Sequence, residues 1–342
     1  MKVTEKNLRE LALLSENERT ILSAYIDLRS GWDNAYDKLK KSIERMRPLL
    51  VGEETDYYDL SVSLLQDYFN KEKDKKFGGY GLAYFVDIGS DYSKGFKLYC
   101  PTEDLFAIND EAIIAPLALQ MDEYETVGII MADNSGARIL TISGYRIKQE
   151  DSIKTKIHHL SKVGGWSQMR YQRRRDNEIE EFVKEIVAMT ESTFRSERIG
   201  RFIIAGRKPL LQMIINEFPH KWKELEIETI KWDLDASDEE FLKKAKPLLD
   251  KMERNEEHDT LEVLLAELRR GGLAVSGPEK TLVALHLGQV DTVVIDTSIP
   301  SEIKEELVSI ANTTSSKVEF VPPGNEILKK LNGVGALLRY KF

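Results

Sequence analysis

The sequence predicts an α/β (α+β) protein of more than one domain, its sheets mixed and flanked by helices. Three observations lead there. At 342 residues the chain exceeds the size at which a single hydrophobic core keeps growing, so two or three compact domains are expected. A content of 42% apolar and 31% charged residues is that of an ordinary globular protein. The final stretch, of about ninety residues, alternates helical and strand patterns, as compact α/β sandwiches do.

In the first third, Ile21 to Leu28 and Tyr80 to Ile88 are rich in β-branched and aromatic residues and read as strands. Helical patterns fall near 33–50 and 55–70, and Lys71 to Gly79 reads as a charged link. A break is expected near Asp122-Glu123, after the apolar segment Ile113 to Met121. Next, Val127 to Ala132, the turn cluster Asp133-Asn134-Ser135-Gly136 and Ala137 to Ile142 form a β-hairpin pattern. Further on, Ile179, Phe182, Val183, Ile186 and Val187 recur at helical spacing, which lays one apolar stripe against a core. Arg201 to Gly206 reads as a buried strand, Lys208-Pro209 opens a helix, and Ile227 to Leu234 reads as another strand. Ser237-Asp238-Glu239-Glu240 is a capping box that starts a helical region. The tail reads as helix Thr281 to Leu287, strand Thr292 to Ile295, helix Ser301 to Ile310 and strand Val318 to Val321. After the Pro322-Pro323-Gly324 break come helix Ile327 to Leu331 and strand Val334 to Tyr340.

The chain carries 49 basic and 58 acidic residues, a net charge of -9. Such a mean field repels phosphate, so any nucleic-acid contact has to be local and directed. Cys100 is the single cysteine, which excludes an internal disulfide and a cysteine metal cage and fits a reducing compartment. A buried, structural role suits it better than a reactive one. The first residues lack the apolar core of a secretory signal, and no apolar run reaches membrane-spanning length. A cytoplasmic protein without membrane contact is expected. There is no P-loop, dinucleotide fingerprint or nucleophile elbow, so no cofactor and no nucleotide hydrolysis are expected. Histidines 220, 258 and 286 have no second ligand at metal spacing. Glu178, Glu180, Glu181 and Glu185 read as acids near a helix start, where the dipole favours them.

Against this acidic background, Lys154, Lys156, Lys162, Arg170, Arg173, Arg174 and Arg175 share one stretch that contains no Asp or Glu. Inside it lies Gly164-Gly165-Trp166. Glycines let main-chain amides approach a ligand, and lysine and arginine contact sugar-phosphate backbone. His158 and His159 sit in the same segment, where His159 is a candidate RNA contact and a surface histidine without a role is as good a reading. The bland alternative for the whole stretch is a solvated turn before a helix, and Gly78-Gly79 and Gly271-Gly272 show that the pair alone means little. Charge and the adjoining Trp166 tip the balance towards a nucleic-acid loop.

From Val127 onwards the residues resemble the archaeal and eukaryotic class-1 peptide release factors and their relative Pelota, in a divergent bacterial or archaeal branch. The hairpin with Asp133 and Gly136, Lys156-Ile157-His158-His159 leading to Gly164-Gly165, and Arg170 to Arg175 with its helix are similar to the family's middle domain. Gly277 to Leu285, Gly288-Gln289-Val290-Asp291 and the closing Gly333 to Tyr340 are similar to its C-terminal domain. The resemblance implies a three-domain release-factor-like architecture: residues 1–121, 122–246 with the Gly-Gly-Trp loop, and 247–342. It implies the ribosome, with its tRNA and rRNA, as partner. It also implies docking of the C-terminal domain on a translational GTPase or a ribosome-recycling ATPase.

Members that release peptide carry Gly-Gly-Gln, and here Trp166 stands in the glutamine position. An indole has no carbonyl to orient water. Its main-chain amide still offers a donor to an oxyanion, so Gly164, Gly165 and Trp166 are the candidate catalytic residues of a peptidyl-tRNA hydrolase. Alternatively the indole stacks on a base, a contact worth roughly 1 to 3 kcal/mol. The first third lacks the family's Asn-Ile-Lys-Ser and Tyr-x-Cys stop-codon motifs, which argues against stop-codon reading. A ribosome-binding factor for rescue, release from aberrant complexes or hibernation, a peptidyl-tRNA hydrolase, and an RNA-binding adaptor on the same scaffold all stay open.

Overall fold

The computed structural model describes the chain except residues 1–2, 15–19, 76, 78, 123–125, 144–145, 155–165, 196–198, 233, 235–236 and 342. It gives the backbone alone for 143, 146–149, 166–168, 171 and 253. Three sheets flanked by helices make up the fold. The chain divides into two compact units, Met1–Tyr124 with Glu256–Phe342, and Glu125–Asn255.

In the first unit, the N-terminal segment runs α1 (Glu5–Ala12), β1 (Ile21–Asp27), α2 (Trp32–Met46), α3 (Glu53–Asp74), β2 (Gly81–Asp87), β3 (Tyr92–Leu98), β4 (Leu105–Asn109) and α4 (Ala115–Asp122). Its sheet has the order β3-β2-β1-β4 and is antiparallel throughout, where a mixed sheet was expected. Each strand here reverses on its sheet neighbour, β2 and β3 by a tight turn, so no parallel crossover arises. β1 is buried along its whole length because both faces of the sheet are covered, and this is why its sequence is continuously apolar rather than alternating. Leu22, Ala24 and Ile26 face α2 and α3, packing with Leu39, Leu65 and Phe69. Ile21 and Tyr25 face the other way, into a core shared with Leu8 and Leu11 of α1, Leu117 of α4 and residues of the C-terminal segment.

The expected link at 71–79 is helical as far as Asp74. Glu72 is buried there and pairs with Lys75 at 2.9 Å and Lys97 at 2.7 Å, which keeps the last turn against the sheet.

The second unit contains β5 (Thr126–Ala132), β6 (Gly136–Ser143), β7 (Arg146–Lys154), α5 (Trp166–Thr193), β8 (Ile199–Gly206), α6 (Lys208–Glu217), α7 (His220–Lys223), β9 (Glu226–Ile230) and the start of α8 (Asp238–Arg269). Its sheet is mixed, in the order β7-β6-β5-β8-β9, with β5, β8 and β9 parallel. The β5–β6 hairpin forms as its turn residues dictate, with Ala132 opposite Ala137. Ile130, Ile139, Phe202 and Ile204 bury one face under α5 and α6, while Ile129, Leu140 and Ile203 bury the other under Phe241, Ala245 and Met252 of α8. The strand expected at 227–234 ends at Ile230, because Trp232 turns away to meet Phe241 edge-on at 5.4 Å. Ser237 caps α8, its Oγ accepting the Glu240 amide N–H at 3.3 Å. α8 is one element with Pro247 inside it, so residues 246 and 247 share a helix.

After α8 the C-terminal segment adds β10 (Ala274–Ser276), α9 (Pro278–His286), β11 (Val290–Asp296), α10 (Ser301–Thr313), β12 (Lys317–Val321), α11 (Glu326–Lys330) and β13 (Val334–Leu338). The sheet order β10-β13-β11-β12 has one parallel pair, β11 with β12, bridged by α10. One face joins the core shared with the N-terminal sheet through Leu285, Val293, Leu307 and Val308. The other packs under Leu261 and Leu264 of α8 and Leu328 of α11.

Helix α4 ties the two segments of this unit together. Both Glu305 carboxylate oxygens accept N–H groups at its start, from Ile114 at 2.5 Å and Ala115 at 2.9 Å. At its end Asp122 accepts the Phe320 amide N–H at 2.6 Å.

Candidate nucleic-acid interface

Of the sequence-predicted site, Gly164, Gly165, Lys156, His159 and Lys162 lie outside the described residues. Trp166 is the first residue of α5, and its side chain is also outside them. What the structure gives is the frame on which that segment is mounted.

On one side stands Lys154, the last residue of β7, exposed and opposite Gly136 of the hairpin turn. On the other side α5 begins far ahead of the apolar stripe. Its first buried side chain among those described is Phe182, sixteen residues after Trp166, or roughly 24 Å at 1.5 Å per residue. The buried stripe of Phe182, Val183, Ile186 and Val187 then seats the helix on the sheet, and Thr193 donates to Asp151 at 2.7 Å. Ile179 is half-buried against the same core, so the arm is the stretch of α5 before it.

The arm is basic. Arg170, Arg173 and Arg174 are exposed and Arg175 is half-buried. Arg174 pairs with Glu178 one turn on, Nε to Oε1 at 3.1 Å, an exposed pair of small energetic weight. Arg170 and Arg173 have no ion pair among the described residues. The first turn of α5 has no acidic residue, and the arginines begin one turn further on.

One expectation is corrected here. Glu178, Glu180, Glu181 and Glu185 were placed near a helix start, but α5 starts at Trp166 and they stand in its middle, beyond the one turn over which the dipole acts. The sequence hid this because the apolar periodicity begins only at Ile179, where the helix first meets the core. Strand β7 was also missed, since Lys148-Gln149-Glu150-Asp151-Ser152 reads as polar loop. Among the described strands it pairs with β6 alone and lies at the edge of the sheet, where charge is the ordinary protection against further pairing.

Outside the arm, Cys100 is buried as expected. Histidines 220, 258 and 286 are exposed, and His220 lies 3.2 Å from Glu224. Among the described residues, no helix is long and apolar enough to cross a membrane.

The chain is similar to the archaeal peptide chain release factor subunit 1 and to Pelota. Residues 113–248 match the family model described as bacterial archaeo-eukaryotic release factor family 10, and residues 255–342 match eRF1 domain 3. The chain is 24% identical to peptide chain release factor subunit 1 of Archaeoglobus fulgidus over 66% of its length and 68% of the relative's. It is 25% identical to the protein pelota homolog of Pyrococcus furiosus over 66% of this chain and 64% of that one. A solved structure described as a model of ribosome-bound archaeal Pelota and ABCE1 is 18% identical and covers 76% of this chain and 78% of that one, with a TM-score of 0.48.

Proposed function

We propose that the protein is a ribosome-directed translation factor that presents Gly164-Gly165-Trp166 to RNA at the peptidyl-transferase centre and binds there without efficient peptide release. Its task is rescue, release from aberrant complexes, or protection of idle ribosomes. The observation that supports this reading is the arm. About 24 Å of helix without a buried described side chain leads back to the Gly-Gly pair and carries Arg170 and Arg173 in the open. A phosphate beside those arginines accepts charge-assisted hydrogen bonds from their guanidinium groups. Replacement of the family's glutamine by Trp166 removes the side chain that would orient water, and leaves an indole suited to stacking. The C-terminal segment, matched to eRF1 domain 3, is the part proposed to dock on a GTPase or recycling ATPase.

The test is incubation with purified ribosomes carrying peptidyl-tRNA. Tight binding without release is the expected result. Release that vanishes in Gly165→Ala points instead to hydrolysis by the loop backbone, and failure to bind ribosomes leaves an RNA-binding adaptor. Because Arg174 is already paired with Glu178, the informative charge variant is Arg170→Ala with Arg173→Ala. Each phosphate contact removed lowers the salt dependence of binding by about 0.7 to 0.9 in log–log slope, so this double variant should flatten it by between one and two.

A further inference from the structure

The parallel strands β5, β8 and β9 all end at one edge of the middle sheet, and basic side chains line that edge. Ala132 at the end of β5 lies opposite Ala137 and Gly206, Ala205 lies opposite Ile230, and Gly136 lies opposite Lys154. Reading across the sheet, the edge therefore presents Lys154 after β7, the hairpin turn, Arg207 and Lys208 after β8, and Lys231 after β9. All four basic residues are exposed. Lys154, Lys208 and Lys231 have no ion pair with a described residue. With strands about 4.8 Å apart, the row spans roughly 19 Å, enough for several backbone phosphates of one RNA strand.

The arm overhangs this same edge. α5 hands the chain on to Ile199, opposite Thr126 at the far edge, so its unburied first half lies beyond the end where β5 and β8 finish. Among the described acids nearby, Asp133 and Asp238 are engaged. Asp133 spends one carboxylate oxygen on the N–H groups of Ser135 at 2.7 Å and Gly136 at 3.2 Å. Asp238, Glu239 and Glu240 open α8, which covers the sheet face opposite α5 and α6, and Asp238 is held by Arg138 at 2.5 Å.

We infer that this edge is a second sugar-phosphate track, formed by Lys154, Arg207, Lys208 and Lys231, which takes the backbone of an RNA whose other contacts are made by the arm. The inference rests on the proposed RNA-binding role of the arm and adds a separate anchor at its base. Contacts at both ends fix the angle of the arm, which one basic cluster on a single helix leaves free to rotate about the bound phosphates.

The experiment compares the full chain with an edge variant (Arg207→Ala, Lys208→Ala, Lys231→Ala) and the arm variant (Arg170→Ala, Arg173→Ala). Binding to purified ribosomes and to a 20-base-pair RNA duplex is titrated with salt, and circular dichroism melting reports the fold. For three phosphate contacts the slope should fall by about 2.1 to 2.7 in the edge variant. Between about 50 and 200 mM salt, the parent should then lose roughly 20- to 40-fold more affinity than the variant. A parental slope in a folded edge variant, with a reduced slope in the arm variant, overturns the track and leaves the arm reading intact. Loss of slope in the edge variant on the duplex, in a protein that does not bind ribosomes, upholds the track and removes the ribosome. A parent chain that binds neither RNA overturns both.

Discussion

Replacing Phe85 by alanine tests whether the two ends of the chain fold as one body. Phe85 lies on β2, fully buried, edge-on to Tyr25 at a centroid distance of 5.7 Å and to Phe96 at 5.9 Å. It belongs to the same apolar core as Leu307, Val308 and Ala311 of α10, more than two hundred residues further along. Removing a buried phenylalanine ring costs about 3 to 5 kcal/mol through lost transfer energy and the cavity left behind. Taking about 4 kcal/mol, and 1.4 kcal/mol per factor of ten, the open form of the unit becomes roughly 700-fold more populated. Native-state amide hydrogen exchange reads this directly. Amides of α10 and β11, far from the substitution in sequence, should lose protection by about the same factor as those of β1 and β2. Unchanged protection over Val290–Thr313 beside a collapse over Ile21–Asp87 would show two independent domains and refute the shared core.

Glu305 gives the same unit a pH dependence. Burial pushes its carboxyl up to about 7 from 4.5, against the two amide N–H groups that favour the charged form. Between those values the folded state holds a proton that the unfolded state has lost, so this group's contribution is complete below about 4.5 and falls away as pH rises towards 7. Burial raises Asp122 too, with the same sign. Urea unfolding of the parent and Glu305→Gln at about pH 4.5 and 7.5 should differ by up to about 3 kcal/mol more at the higher pH, in favour of the variant; a pH-independent difference counts against a proton held on Glu305. In the second unit, Phe182→Ala should cost about 3 to 5 kcal/mol and Arg174→Ala should leave the melting midpoint unmoved. A large loss on truncating Arg174 would mean that the arm is packed.

How much of this was legible in the sequence depended on how each segment is buried. Strands covered on both faces, such as Ile21–Asp27 and Thr126–Ala132, write themselves as continuous apolar runs. The hairpin turn and the Ser237 cap are local hydrogen-bond chemistry and need no tertiary context. Edge strands β3 and β7 mix charge into their sequence and were not seen. Neither was α4, a short apolar helix whose start is capped by Glu305 from a distant part of the chain.

The basic segment around Gly164-Gly165-Trp166, and its contrast with an acidic chain, were set by the sequence alone, because charge and residue type are properties of the chain before it folds. Tertiary structure decided which cations are spent and which are offered: it paired Arg174 with Glu178, left Arg170 and Arg173 exposed, and put Lys208 and Lys231 at the same end of the sheet as Lys154. It also joined the two ends of the chain in one core. Strand register and helix seating are set by burial of apolar faces supplied from far along the chain, and no local window contains both partners of such a contact.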